Sequence, residues 1–238
     1  MEQKQSITIS NRSGAVQNYV LFAEAPQIKP SSGSQLKTNI IVAFRGVAGN
    51  GGQAYFTMPK ERLFAICGTS NSDGLKDLVQ IEVLDKMPVT IGAQTRDGTL
   101  LAGTACDMVV KGGTPIFSDQ QTAPALGELG GFCIRTKRDF SYQESKEGRY
   151  VLGLGISTSL IREIGPYVVF TPSPNQLYQI KPSNTFYVVA SDEDTRAPVT
   201  PELKERACKI DFNLLRTNDV LLLHNDRGEL TIQLKAQL

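Results

Sequence analysis

No stretch of this chain keeps one pattern for long. Short runs of Val, Ile, Tyr, Phe and Thr recur from end to end, each cut off within a few residues by Gly, Pro, Asn, Asp or Ser. Ser6–Ser10, Tyr19–Ala25, Asn39–Phe44, Gln53–Met58, Leu63–Cys67, Leu78–Leu84 and Val89–Ala93 are such runs. Met108–Val110, Phe132–Thr136, Tyr150–Ile156, Tyr167–Thr171, Gln176–Ile180, Thr185–Ala190, Val220–His224 and Glu229–Leu234 follow. β-Branched and aromatic runs at this spacing form the strands of an antiparallel β-sandwich or barrel. Asn225-Asp226-Arg227-Gly228, between the last two runs, is a hairpin turn by composition. Helical periodicity is scarce, and Pro201–Ala207 is its best stretch, because Pro suits a first helical turn. The chain therefore reads as all-β with at most one or two short helices. The missing strand–helix–strand rhythm argues against a doubly wound nucleotide-binding fold.

With 238 residues, 40% hydrophobic and 21% charged, the chain is long enough to bury a core without staples. The expectation is a single β domain over residues 1–238. Two stretches resemble each other: Tyr19-Val20-Leu21-Phe22 precedes Gln27-Ile28-Lys29-Pro30-Ser31, and Tyr167-Val168-Val169-Phe170 precedes Gln179-Ile180-Lys181-Pro182-Ser183. They leave two readings open: an internal duplication with halves near 1–110 and 131–238, or two loops alike by chance.

The charge balance, 25 basic against 24 acidic side chains, points away from a nucleic-acid partner, which requires a basic face. Arg135, Lys137 and Arg138 read as a solvated strand face rather than a patch. No apolar run reaches membrane-spanning length, so no membrane partner is expected. A homo-oligomer is left open. The N-terminal MEQKQSITIS lacks an apolar signal core. The four cysteines, Cys67, Cys106, Cys133 and Cys208, form no Cys-x-x-Cys pair. Both features predict a cytoplasmic protein with reduced thiols.

His224 is the single histidine. A Ser–His–Asp or Cys–His site must use it, yet it abuts the hairpin turn and reads as an exposed or hydrogen-bonded turn residue. Zinc-site spacing is missing, and a cupin-like or facial-triad iron site requires more histidines. No metal and no cofactor is expected. Gly46–Gly52 lacks the Gly-Lys-Ser/Thr ending of a phosphate-binding loop. Long loops at Pro30–Lys37, Gly46–Gly52, Lys111–Gly130 and Ser191–Pro201 are candidates for functional segments. Glu24, Glu82, Asp85, Asp107 and Asp119 are candidates for paired carboxylates, as in glycoside hydrolysis. The chain has no Trp, which lowers the weight of a sugar platform.

Gln17–Pro26 (QNYVLFAEAP) and Phe64–Ser70 (FAICGTS) resemble segments of small fungal β proteins encoded with secondary-metabolite pathways. That group includes the hetero-Diels–Alderases of tropolone sesquiterpenoid pathways. The matching segments lie in the N-terminal third and carry no mechanistic signature, so the resemblance implies a class and no site residues. The class is a pathway protein that binds an apolar, reactive small molecule.

Such a protein needs no nucleophile, metal or redox cofactor. It needs a dry pocket that holds diene and alkene in near-attack geometry, with a donor on a developing charge. The expectation is a cofactor-free cyclase directing a (hetero-)Diels–Alder cycloaddition. Arg45, Asn18 and Tyr19 are its candidate donors, and Phe44, Phe56 and Phe117 its pocket walls. The alternative is a non-catalytic module that binds a small molecule or carbohydrate, and hydrolysis by paired carboxylates is a third reading.

Overall fold

Central strands buried on both faces and alternating strands nearer the edges make up the computed structural model, which describes residues 4–31, 36–59, 63–71, 80–118, 127–157 and 165–233. The chain opens with β1 (Lys4–Asn11), β2 (Gln17–Ala23), β3 (Gln27–Lys29), β4 (Lys37–Thr38), β5 (Val42–Val47) and β6 (Gly52–Pro59). Then come β7 (Leu63–Ser70), β8 (Ile81–Pro88), the small hairpin β9 (Ala93–Gln94) and β10 (Leu100–Leu101), β11 (Ala105–Lys111) and β12 (Thr114–Phe117). β13 (Phe132–Thr136) is followed by helix α1 (Tyr142–Glu147), β14 (Tyr150–Ile156), β15 (Gly165–Phe170) and β16 (Leu177–Lys181). The last elements are β17 (Thr185–Ala190), α2 (Pro201–Glu205), β18 (Cys208–Asp211), α3 (Phe212–Leu215), β19 (Asp219–His224) and β20 (Leu230–Gln233). Strand makes up 56% of the structure and helix 8%, so the fold is all-β and sandwich-like. Among the described residues the short helices number three.

Four sheets form two sandwiches. The first pairs the sheet β20-β19-β1-β6 with β18-β17-β2-β5; the second pairs β12-β11-β13-β16-β3 with β4-β15-β14-β7-β8. Rings lock each pair of sheets across the gap: Phe44 on Phe56 at 4.8 Å in the first, Phe170 on Tyr178 at 4.9 Å in the second. One continuous apolar cluster runs through both, from Ile7, Leu21 and Leu222 to Ile134, Leu152 and Phe170.

The pairing scheme repeats. Exchanging β1, β2, β5 and β6 for β13, β14, β15 and β16, and β17 to β20 for β7, β8, β11 and β12, turns the strand orders of the first sandwich into those of the second. Even the parallel pairs correspond, β1 with β19 and β13 with β11. Each of these sheets thus takes two of the corresponding strands from one half of the chain and two from the other. β3 and β4 are additions that leave the first sandwich and extend the sheets of the second. The two QIKPS pentapeptides do not occupy corresponding strands. They pair with each other antiparallel, Ile28 opposite Ile180.

Several local readings change. Lys111–Gly130 is not all loop: β12 folds back on β11, Val109 opposite Ile116, while residues 119–126 lie outside the described residues. The run Asn39–Phe44 becomes strand only at Val42, and within Val89–Ala93 only Ala93 belongs to a strand. Pro201–Glu205 is helical, capped by the Thr200 side chain accepting from the Leu203 amide. α1 carries a full capping box, Ser141 with Glu144, which stabilises so short a helix at its first turn. No described helix is long and apolar enough to cross a membrane.

Candidate functional site

β8 pairs with β7 through a register in which Thr69 faces Glu82, Gly68 faces Val83 and Cys67 faces Asp85. Leu84 is therefore an extra residue, a bulge that re-aims the strand and leaves Leu84 39% exposed. Where β7 ends, the Asn71 and Gln80 backbones bond (Asn71 amide to Gln80 carbonyl, 3.1 Å), and the Asn71 side-chain oxygen accepts from the Gln80 amide at 2.9 Å. Arg149 adds a donor to the Asn71 carbonyl at 3.2 Å. These bonds fix the positions of Thr69 to Asn71 and the start of β8. They form one side of a groove of about 780 Å³, completed by residues 80–86, Pro166 and Arg196.

The groove is amphipathic. Ile81 and Val83, half-buried, pack on Ile66, Val151 and Val169 and form an apolar floor. Thr69 and Ser70 bring hydroxyls, Glu82 a carboxylate, and Lys86 and Arg196 cations. The Asp85 carboxylate serves the fold, accepting from the Lys86 amide at 2.8 Å and the Phe117 amide at 2.7 Å. Arg196 holds a left-handed backbone, φ 76°, which costs a non-glycine residue energy and recurs at functional positions. Its amide donates to the Ile40 carbonyl at 2.8 Å, and its carbonyl accepts from the Asn39 side chain at 2.8 Å. The side-chain oxygen of Asn39 is buried without a hydrogen-bond partner.

Smaller concavities lie elsewhere, two of them of about 400 Å³. One, about 410 Å³, is lined by Val189, Ala190, residues 206–208 and residues 228–230. The other, about 400 Å³, lies over Arg135, Lys137, Arg138 and Asn175. Beneath it Asp107, 2% exposed, pairs with Arg135 at 2.6 Å and Lys137 at 2.8 Å. The basic run thus balances a buried carboxylate as well as facing solvent.

The candidate donors divide between surface and core. Arg45 donates to the Glu193 carbonyl at 2.7 Å and pairs with Asp194 at 2.6 Å. Asn18 donates to Asp192 at 2.6 Å and accepts from the Gly46 amide at 2.8 Å. The two therefore converge on the loop after β17 and hold it against β2 and β5. Tyr19, on the opposite face of β2, is fully buried, and its hydroxyl lies 2.7 Å from His224 Nδ1. Phe44 and Phe56 pack on each other in the first sandwich, whereas Phe117 is buried in the second. The six residues therefore do not line one cavity. His224 is hydrogen-bonded but not exposed; 3% of it is accessible.

Among the carboxylates, Glu24 joins the two sandwiches. Its side chain accepts from the Tyr187 hydroxyl and pairs with Lys204 at 2.6 Å, while its carbonyl accepts from the Tyr167 hydroxyl. Burial pushes the Glu24 carboxyl up, but Lys204 and Tyr187 outweigh it and hold the group below its ordinary value. Asp119 lies outside the described residues. None of the four cysteines forms a disulfide; burial raises the Cys106 thiol to about 12 and pushes Cys67 higher still. Neither is a nucleophile at neutral pH. Among the described residues no group of three His, Cys, Asp or Glu side chains is placed to hold a metal.

Glu82, Lys86 and Arg196 were the residues that strand patterning alone did not single out as one site. The signal for Glu82 was present in the polar–apolar alternation from Gln80 to Val83. Arg196 reaches the groove only through tertiary structure. No family model, curated protein or solved structure matches the chain, so the groove is read from its own chemistry.

Proposed function

We propose that the protein is a binding module for a neutral polyhydroxy ligand of the carbohydrate class, held in the groove along β8. The observation that carries this reading is that one groove is lined both by apolar Ile81 and Val83 and by residues with hydroxyl, carboxylate and cationic groups. Carboxylates accept from sugar hydroxyls, cations donate to them, and the C–H face of a ring covers apolar side chains. Glu82 and Asp85 balance Lys86 and Arg196 in sign, which favours a ligand without net charge. The lining holds no aromatic ring, so affinity is expected to be weak, on the order of 0.1–1 mM, or roughly 4–5.5 kcal/mol. Nothing in the groove favours the cycloaddition reading, which calls for an enclosed apolar pocket.

A panel of neutral oligosaccharides, immobilised and probed with the full chain, tests this. At least one should bind, and Glu82→Ala should weaken it by about tenfold, 1.4 kcal/mol, without moving the melting temperature. Binding of no sugar at roughly ten times the expected dissociation constant would remove the carbohydrate reading.

A further inference from the structure

We infer that the chain carries a second binding position in the other sandwich, which makes it bivalent toward a repeating glycan. The inference rests on the carbohydrate reading of the first groove. Under the repeated pairing scheme β7 corresponds to β17 and β8 to β18. The first groove uses the last two residues of β7, Thr69 and Ser70, and the start of β8. The concavity of about 410 Å³ uses the last two residues of β17, Val189 and Ala190, and the start of β18 at Cys208. Both hollows thus border the end of one corresponding strand and the start of the next, the first reaching on to Pro166 and Arg196 and the second to residues 228–230.

The chemistry also corresponds. Arg206 supplies a cation, held at the rim by its bond to the Ala190 carbonyl at 3.4 Å. Glu229 supplies a carboxylate, oriented by the Asn225 side-chain amide at 2.9 Å. Half-buried Leu230 supplies apolar surface beside Val189, which is 3% exposed. The smaller volume suits a shorter segment of chain. The two corners belong to different sandwiches and share no lining residue, so they can be filled together. On a polymer, two weak sites then act as one strong one, with avidity gains of roughly 10²–10⁴.

The test is an amide chemical-shift titration of the full chain with laminarihexaose and, separately, maltohexaose. Bivalency predicts two saturating sets of shifts, one around residues 69–71 and 80–86, the other around 189–190, 206–208 and 228–230. Glu82→Ala should move only the first set to about tenfold higher ligand concentration, and Arg206→Ala only the second. Either substitution should weaken binding to the matching polysaccharide surface by about 100-fold. Shifts at the first set alone would overturn bivalency and leave the carbohydrate reading standing. Shifts at neither, with both probes, would overturn the two together, and weakening of both sets in Arg206→Ala would show one site rather than two.

Discussion

The Tyr19 hydroxyl and Nδ1 of His224 form a 2.7 Å hydrogen bond between the two sheets of the first sandwich, with the rings edge to face at 5.6 Å. Burial pushes the Tyr19 hydroxyl up to about 12 and the His224 imidazole down, partly offset by a backbone bond involving Gly228. Both partners are therefore neutral, and the hydroxyl donates to the unprotonated nitrogen. Tyr19→Phe leaves that buried nitrogen without its donor. It should lower stability by about 1–3 kcal/mol, read as a lower urea midpoint at unchanged slope. A midpoint within error of the parent would contradict the pairing.

Acidification should act in two steps. The folded imidazole of His224 sits below its ordinary 6.5, so its contribution to stability is complete above pH 6.5 and is lost as pH falls through the lower folded value. Glu24 is likewise held below its ordinary 4.5, so its contribution is present above pH 4.5 and disappears below it. His224→Gln should flatten the first step and keep the second. Denaturation midpoints taken from pH 7.5 downward check this; a first step that persists in His224→Gln contradicts it.

Asp107 is 2% exposed and bonds both Arg135 and Lys137. Asp107→Asn removes the charge that balances two cations and leaves their geometry without its centre. A loss of about 3 kcal/mol is expected, the lower end for breaking a buried pair, because both cations keep access to water. Chemical denaturation measures it, and a loss below about 1 kcal/mol, the range of a surface pair, would contradict a buried role.

Gly153 lies in β14 between β7 and β15, and a Cβ there would stand 2.0 Å from the Val168 carbonyl oxygen. Backbone cannot yield as a flexible side chain does, so Gly153→Ala should cost more than about 3 kcal/mol, in the range of severe overpacking. Thermal unfolding of the purified variant decides it; a melting temperature near that of the parent would mean the sheet is not packed this way.

Legibility in the sequence followed locality. β13, β14 and β17 begin and end where their β-branched runs do. The Asn225–Gly228 turn closes the hairpin it spells, with Gly228 at φ 79°. β12 and β18 escaped because nothing local marks them: β12 carries Pro115 and follows two glycines, and its strand character comes from lying against β11. Strand alternation puts Asn18 and Tyr19 on opposite faces of β2, one at the surface and one in the core. It could not place Arg45 and Asn18 on the loop at residues 191–194, whose partners Asp194 and Asp192 lie 149 and 174 residues away in the chain. The groove was illegible for the same reason. It depends on a bulge in β8, on the register with β7, and on Arg196, whose position is set by Asn39 and Ile40.

The central claim is that ligand binds along β8 and not beside Arg45. Calorimetric titration of the oligosaccharide that binds best, into the parent chain, Glu82→Ala and Arg45→Ala, tests it most directly. Arg45 holds a surface loop through an exposed ion pair, worth at most about 1 kcal/mol of stability, so Arg45→Ala should bind as the parent does. Glu82→Ala should bind about tenfold more weakly, 1.4 kcal/mol. The reverse result, full binding by Glu82→Ala and loss in Arg45→Ala, would contradict the account and move the site to the loop after β17.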